Sequence, residues 1–584
     1  MPAPQVSVDV TSISHAGSAS RAALSVKGTT GERPPSPISR IVELARLERR
    51  DVWVVFVYAA FVGLLTLTVP LAGQALVSTV AFGTILQPLI VLALVLLVGT
   101  MFSAVLQALQ TWVVEVIQWR ILLRLSSDLA YRLPRLTRRV LDSSNAPTLV
   151  NRFFDVFTVQ KTASWLLLDG LGIVLTASVG MLLLASYHPI LLAFDVAIVF
   201  AAAFVLVGLG RGGEKSAIKE SKAKHNLASW LEEIAAHRYV FRESPARALA
   251  WGKTDVLTRE YLHARKKHFS IVYRQILGSL GLQAVAQTAL LSVGGYLVMK
   301  EQLTLGQLVA AELAVGAIVS SIAKLGRYLD NLYDMLASVD KVGSLLDLPT
   351  ESGDRGALTP VDGVPVLRVT ALSVPGAGIS GLLSNLTLEV HRGDFISLVG
   401  GPGTGKTRLA ECFIGMVMPA AGSIEVWGND LRDVGLEDIR HHVRVVGRPE
   451  IIDGTLAENI SLGRPDVPHT RVREILRELH VESFFEWMPN GLDTSLLGGG
   501  VRISETQATA VALARALVHP PDLLVLDGAL DHLSPVFREK LVSDIRRVLG
   551  RGALMVLTQH PDLARLCGTT LQLETNIDGG PSHG

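Results

Sequence analysis

Between Asp51 and Glu115 the chain carries no Asp, Glu, Lys or Arg. At about 20 residues per transmembrane helix, that stretch is long enough for two spans. A hairpin fits it, with the turn expected near Gly83 to Pro88, where Gly and Pro interrupt the apolar run. Four further apolar segments, at 166–187, 190–210, 275–299 and 303–323, bring the expected spans to six. The composition agrees. Over 584 residues, 49% are hydrophobic and 18% charged, more apolar than a water-soluble surface tolerates and incompatible with disorder as the general state. Lys+Arg 54 against Asp+Glu 53 leaves a net charge of +1, so no global field favours nucleic acid and no nucleic-acid partner is expected. Two cysteines, Cys412 and Cys567, are too few for a disulfide framework and read as reduced packing positions.

The flanking charge orients the spans. The connections Arg120–Lys161 and Arg211–Lys267 are crowded with Arg and Lys, whereas the turns near Tyr187 and Lys300 are short and nearly uncharged. The positive-inside rule puts the long connections in the cytosol. An even number of spans then puts both termini on that side of an integral plasma (inner) membrane protein. Residues 1–37, rich in Ser, Pro, Gly and Thr, read as a disordered tail. From Ile38 to Asp51, apolar residues at helical spacing oppose Arg46, Arg49 and Arg50, the pattern of an interfacial helix. The expected organisation is a transmembrane domain at 38–345, a linker at 346–360 and an α/β domain at 361–576, with a tail at 577–584. In the α/β domain, short runs such as FISLVG (395–400) and DLLVLD (522–527) alternate with helical stretches, which predicts a parallel sheet.

Residues Gly400, Gly401, Pro402, Gly403, Thr404, Gly405, Lys406 and Thr407 match G-x-x-x-x-G-K-[ST] between a predicted strand and a predicted helix. The glycines let backbone N–H groups face phosphate, Lys406 can neutralise the β and γ phosphates, and the Thr407 hydroxyl can ligate Mg²⁺. Asp527, ending an apolar strand, is the candidate second acidic element for Mg²⁺.

Six spans followed by such a domain resemble the ATP-binding cassette (ABC) exporters, specifically half-transporters that work as dimers: an α-helical six-span membrane domain plus an α/β P-loop NTPase domain of ABC type. ALARALVHPPDLLVLD (512–527) is similar to the family's helix and magnesium-binding strand, and IIDGTLAENISLGRPD (451–466) resembles the segment after its glutamine loop. By the same resemblance His560 falls at the switch histidine that contacts the γ phosphate. Residues 132–157 look like the first cytosolic loop that docks on the nucleotide domain, and a second tip is expected between His237 and Trp251. ATP and Mg²⁺ are the implied cofactors.

The departures from the family pattern are specific. Gly528 stands where the family has the glutamate that polarises water, and Gly447 where it has the glutamine. The signature Leu-Ser-Gly-Gly-Gln reads Ile503-Ser504-Glu505-Thr506-Gln507. The adenine-stacking tyrosine has no counterpart near Ala371 to Pro375, and the D-loop stretch reads Asp531-His532-Leu533-Ser534. The resemblance therefore implies an ABC-type ATPase with degenerate motifs and little or no hydrolysis by this chain alone.

In the spans, Asp195 and Glu312 are the sharpest charges. Such residues face a pathway or a partner; Asp195 reads as lying near the outer interface, where its charge is cheap, and Glu312 as lining a substrate cavity or bonding a neighbouring helix. Gln283 and Gln287 share a helix face, where helix-to-helix bonding is the simpler role. The expected function is an ATP-binding half-subunit of an exporter. It would be paired with a more complete second half-transporter, a heterodimer ahead of a homodimer, and would move a small amphipathic substrate across the lipid. The alternative is a catalytically inactive membrane ABC protein in which ATP binding serves assembly or regulation.

Overall fold

The computed structural model describes residues 37–81, 86–143, 152–351, 356–361, 363–374, 383–496 and 501–573. Most of the two expected tails, the tip of the hairpin at 82–85, the centre of the first cytosolic connection at 144–151, part of the linker at 352–355 and the stretch at 375–382 lie outside them. The chain divides into two compact units between Pro349 and Thr350.

The first unit is helical. Arg49–Val80, Gln87–Arg135, Asp155–Tyr187, Pro189–Ala236 and Ser244–Met299 are long and apolar enough to cross a membrane. The sixth expected span falls on a shorter apolar stretch, Leu305–Ser321, at the start of the 42-residue helix Leu305–Leu346. A capping box opens that helix, with Thr304 Oγ1 accepting from the Gln307 amide at 3.1 Å. The two ends of the charge-free stretch meet at one level. Arg120 and Arg124 each donate to buried Glu48 at 3.2 Å, and Arg120 also pairs with Asp51.

Much of the Arg- and Lys-rich connections is helix rather than loop. Leu86–Arg132 carries its helix through Arg120 and Arg124, and Gly213–Ala236 and Ser244–Met299 cover most of 211–267. The cause is local: Ala, Leu, Glu, Lys and Arg are strong helix formers, so a span leaving lipid has no reason to unwind. Between the last two helices, residues 237–243 form a short turn, with a 3₁₀ turn at Val240–Arg242.

Within the spans, Leu184, Leu191, Ile198, Leu290, Val315 and Ile318 form an apolar cluster. Asp195 lies on the buried face with Leu191 and Ile198, and neither of its carboxylate oxygens has a hydrogen-bond partner among the described residues. Asp195 is thus buried against neighbouring helices. Glu312 is half-buried, with Oε2 likewise unpartnered.

The second unit contains a five-stranded sheet in the order Thr569–Gln572, Phe395–Val399, Ala553–Thr558, Leu523–Asp527, Val443–Val446, parallel throughout. The strand run LLVLD shows why it forms. Leu523 and Val525 point into one apolar cluster and Leu524 and Leu526 into the other, so both faces are covered, as a parallel sheet requires. A second, antiparallel sheet orders Leu383–Val390, Leu367–Val374, Ala421–Val426 and Asn429–Asp430. Part of the expected linker belongs to this unit: Arg440 grips Glu351 through two 2.7 Å bonds, and the Gly356 amide donates to Asp433 O at 3.0 Å.

Candidate phosphate and signature sites

Parallel pairing aligns the carboxyl ends of the strands, the edge at which open α/β sheets place their ligands. The loop 400–405 leaves Phe395–Val399 there and runs into the helix Lys406–Phe413. Gly403 at φ +80° and Gly405 at φ +87° adopt left-handed backbone that a side chain would strain, and this turns the loop around its own lysine. Lys406 Nζ donates to Gly400 O at 2.7 Å, to Gly401 O at 2.8 Å and to Thr404 Oγ1 at 3.2 Å. An entering phosphate replaces these neutral acceptors with anionic ones. Gly400 has no spare room, because a Cβ there would come 2.7 Å from Thr404 Oγ1.

Two strands away, Asp527 ends its strand and accepts a hydrogen bond from Thr407. A hydroxyl beside a carboxylate at a phosphate loop is the oxygen donor set that Mg²⁺ takes, so the residues present fit that ion. Burial pushes the Asp527 carboxyl above the usual aspartate range. The Thr407 hydroxyl and the Lys406 charge oppose the rise and Asp531 adds to it. Burial lowers Lys406, with Asp527 and Asp531 opposing.

A carboxyl with a raised folded pKa holds its proton longer when folded, so stability falls as pH rises from the unfolded pKa through the folded one. At neutral pH the ionised Asp527 is a net cost. Asp527→Asn should therefore raise the thermal midpoint of the nucleotide-free protein at pH 7, with the gain shrinking toward the ordinary aspartate range. The same variant should remove the extra stabilisation that Mg²⁺ gives with ATP. Thermal melts with and without Mg²⁺-ATP test this, and a lower nucleotide-free midpoint would contradict it.

Gly447 follows Val443–Val446, and a Cβ built on it lies 3.7 Å from Asp527 Oδ2, so the residue at the expected glutamine position adjoins the acidic element. Gly528 leaves the Asp527 strand at φ +62°. His560 is half-buried, and its amide donates to Thr558 Oγ1 at 3.0 Å at the end of the strand lying between the loop strand and the Asp527 strand. The structure thus brings together the loop, Asp527, Gly447, Gly528 and the backbone of His560.

Ile503 to Gln507 stand apart. Ser504 caps the helix Glu505–Leu517, accepting from the Gln507 amide at 3.3 Å while its own amide donates to Gln507 Oε1 at 2.8 Å. The retained Ser and Gln close a capping box, and Glu505 is exposed in the first helical turn, where the helix dipole favours an anion. Leu513 and Leu517 of this helix join one apolar cluster, whereas Leu409 and Phe413 of the phosphate-loop helix join the other. The two helices therefore cover opposite faces of the sheet. Sequence reading missed two basic neighbours: Arg448 and Arg502 line the same open groove, about 440 Å³, as Glu505. It also missed Thr558. The available signal for Thr558 is a hydroxyl two residues before a candidate switch histidine; nothing local marks Arg448 or Arg502.

Comparison with known proteins follows the same division. Residues 52–240 match the ABC transporter transmembrane region, and residues 383–531 match the ABC transporter family model. Leukotoxin translocation ATP-binding protein LktB of Mannheimia haemolytica is 24% identical over 348 residues, 59% of this chain and 48% of that protein, and its counterpart in Bibersteinia trehalosi gives the same figures. The chain spans about half the length of the curated relatives it matches. In fold, a bacterial Atm1-family ABC exporter with ATP bound superposes with a TM-score of 0.81 at 18% identity, over 90% of this chain and 93% of that one. With a transmembrane region and an ATP-binding domain of one family fused in a single multi-pass chain of exporter fold, the protein belongs to the ABC transporters and has half-transporter architecture.

Proposed function

We propose that this chain is the ATP-binding half-subunit of an ABC-type exporter whose own catalytic motifs are degenerate. It pairs with a more complete half-transporter and moves a small amphipathic substrate across the membrane, with the nucleotide domain in the cytoplasm. The observation that carries the reading is the contrast at one strand edge: a complete phosphate loop with Lys406, Thr407 and Asp527, beside Gly528, which has no side chain to polarise water. The opposite placement of the phosphate-loop and signature helices adds support, since a nucleotide held between them needs two chains. One composite site would join Gly400–Thr407, Asp527 and His560 to the partner's signature. The other would join the partner's phosphate loop to Ile503–Gln507.

Affinity purification of the full chain from its own membranes tests the pairing. The expected companion is a half-transporter with a glutamate after its magnesium-binding aspartate and an intact Leu-Ser-Gly-Gly-Gln. Recovery of this chain only as copies of itself would contradict the pairing and favour a role for ATP in assembly or regulation.

A further inference from the structure

The left-handed turn at Gly528 has a consequence for the residue three positions on. The Gly528 amide donates to Leu557 O at 2.9 Å, and the Asp531 amide donates back to Gly528 O at 3.0 Å, so the chain folds over and returns Asp531 to the strand edge. A Cβ built on Gly528 would lie 3.7 Å from Asp531 Oδ2, a separation comparable with the reach of a glutamate's carboxylate from its own Cβ. The other oxygen, Oδ1, accepts from Thr558 Oγ1 at 2.6 Å, and Thr558 is fully buried. Thr558 Oγ1 in turn accepts from the His560 amide at 3.0 Å. One oxygen of Asp531 is therefore anchored to the loop that carries His560, and the other faces the space that the missing side chain leaves open. The charge of Asp531 acts on both Lys406 and Asp527, which places it in the electrostatic neighbourhood of the phosphate site.

We infer that Asp531 is the water-activating carboxylate of this chain's own phosphate site, standing in for the side chain that position 528 lacks. The inference rests on the reading of Gly400–Thr407 as an ATP site. In the step it serves, a water oxygen bonds to the γ phosphorus while the bond from that phosphorus to the bridging oxygen breaks, its electron pair leaving with ADP. The water proton passes to Asp531 Oδ2 and then to the released phosphate or solvent. A carboxylate borrowed from the next turn is held less directly than one on the strand end. It supports slow single turnovers and little steady-state hydrolysis, in keeping with the proposed function.

The test uses the full chain reconstituted in phospholipid vesicles, with its native signature and with Glu505→Gly plus Thr506→Gly to assist closure between copies. ATP affinity is read with a fluorescent ATP analogue, and phosphate release is followed in single turnovers with protein in excess over ATP. Wild type, Lys406→Ala, Asp531→Asn and Thr558→Val are compared. Asp531→Asn should slow the Lys406-dependent release by about 100-fold or more, the scale of a lost general base, while ATP affinity stays within about twofold, a split that a merely structural role would not produce. Thr558→Val keeps the carboxylate but frees it from its anchor, and should slow release less. Equal release by wild type and Asp531→Asn would overturn the inference. So would ATP binding that depends on Lys406 with no Lys406-dependent release under either signature. Binding that does not depend on Lys406 would instead bring down the ATP-site reading on which the inference stands.

Discussion

Lys406→Ala should weaken ATP binding to the full chain by roughly 10- to 100-fold, because a hydrogen bond to a charged group contributes about 1.5–3 kcal/mol and each 1.4 kcal/mol is tenfold in affinity. In the nucleotide-free protein this ammonium is bonded to Gly400 O, Gly401 O and Thr404 Oγ1. Alanine therefore also removes the strut around which the loop is wound, and the loss falls on binding through both charge and shape. Titration with a fluorescent ATP analogue measures the effect. Equal affinity in wild type and variant would remove the loop from the nucleotide site.

The second large effect is expected at the other composite site. Glu505 occupies the first turn of its helix, where the dipole tolerates it in the absence of nucleotide. A γ phosphate arriving from a partner chain would face that carboxylate, and the bulk of Glu505 and Thr506 would obstruct the close backbone approach that glycine allows. Arg448 and Arg502 in the same groove soften the repulsion but leave the steric obstacle in place. Glu505→Gly with Thr506→Gly should therefore tighten ATP-dependent closure and raise ATPase activity of the co-purified pair by about fivefold, the equivalent of roughly 1 kcal/mol. The capping box survives the change, since Ser504 and Gln507 are retained. Unchanged or lower activity would show that Glu505 has been accommodated or recruited.

The phosphate loop was legible in the sequence because its chemistry depends on eight consecutive residues, and the spans were legible because lipid excludes charge over a continuous run. The extent of the helices was not. Arg- and Lys-rich connections have the composition of solvated segments, and that composition does not distinguish a loop from a helix that continues past the membrane. Contacts made by distant elements were also hidden. His225 Nε2 lies 3.2 Å from Asp155 Oδ2, and Lys341 Nζ lies 2.6 Å from His225 Nδ1, joining three helices of the first unit that no periodicity links. Asp531 belongs to the same class. Its sequence position marks an atypical D-loop, but its approach to the phosphate edge depends on the positive φ of Gly528 and on the strand order that sets Ala553–Thr558 beside Leu523–Asp527. Neither can be read from residue spacing.

The most direct test of the account is steady-state ATP hydrolysis by this chain alone, purified and reconstituted in lipid, with ATP binding measured on the same preparation. Lys406-dependent binding with negligible multiple turnover is expected, because position 528 offers no carboxylate and the signature of a second copy carries Glu505 and Thr506 in place of glycine. Robust turnover that disappears in Lys406→Ala would contradict it, and would show that a homodimer of this chain is a complete ATPase.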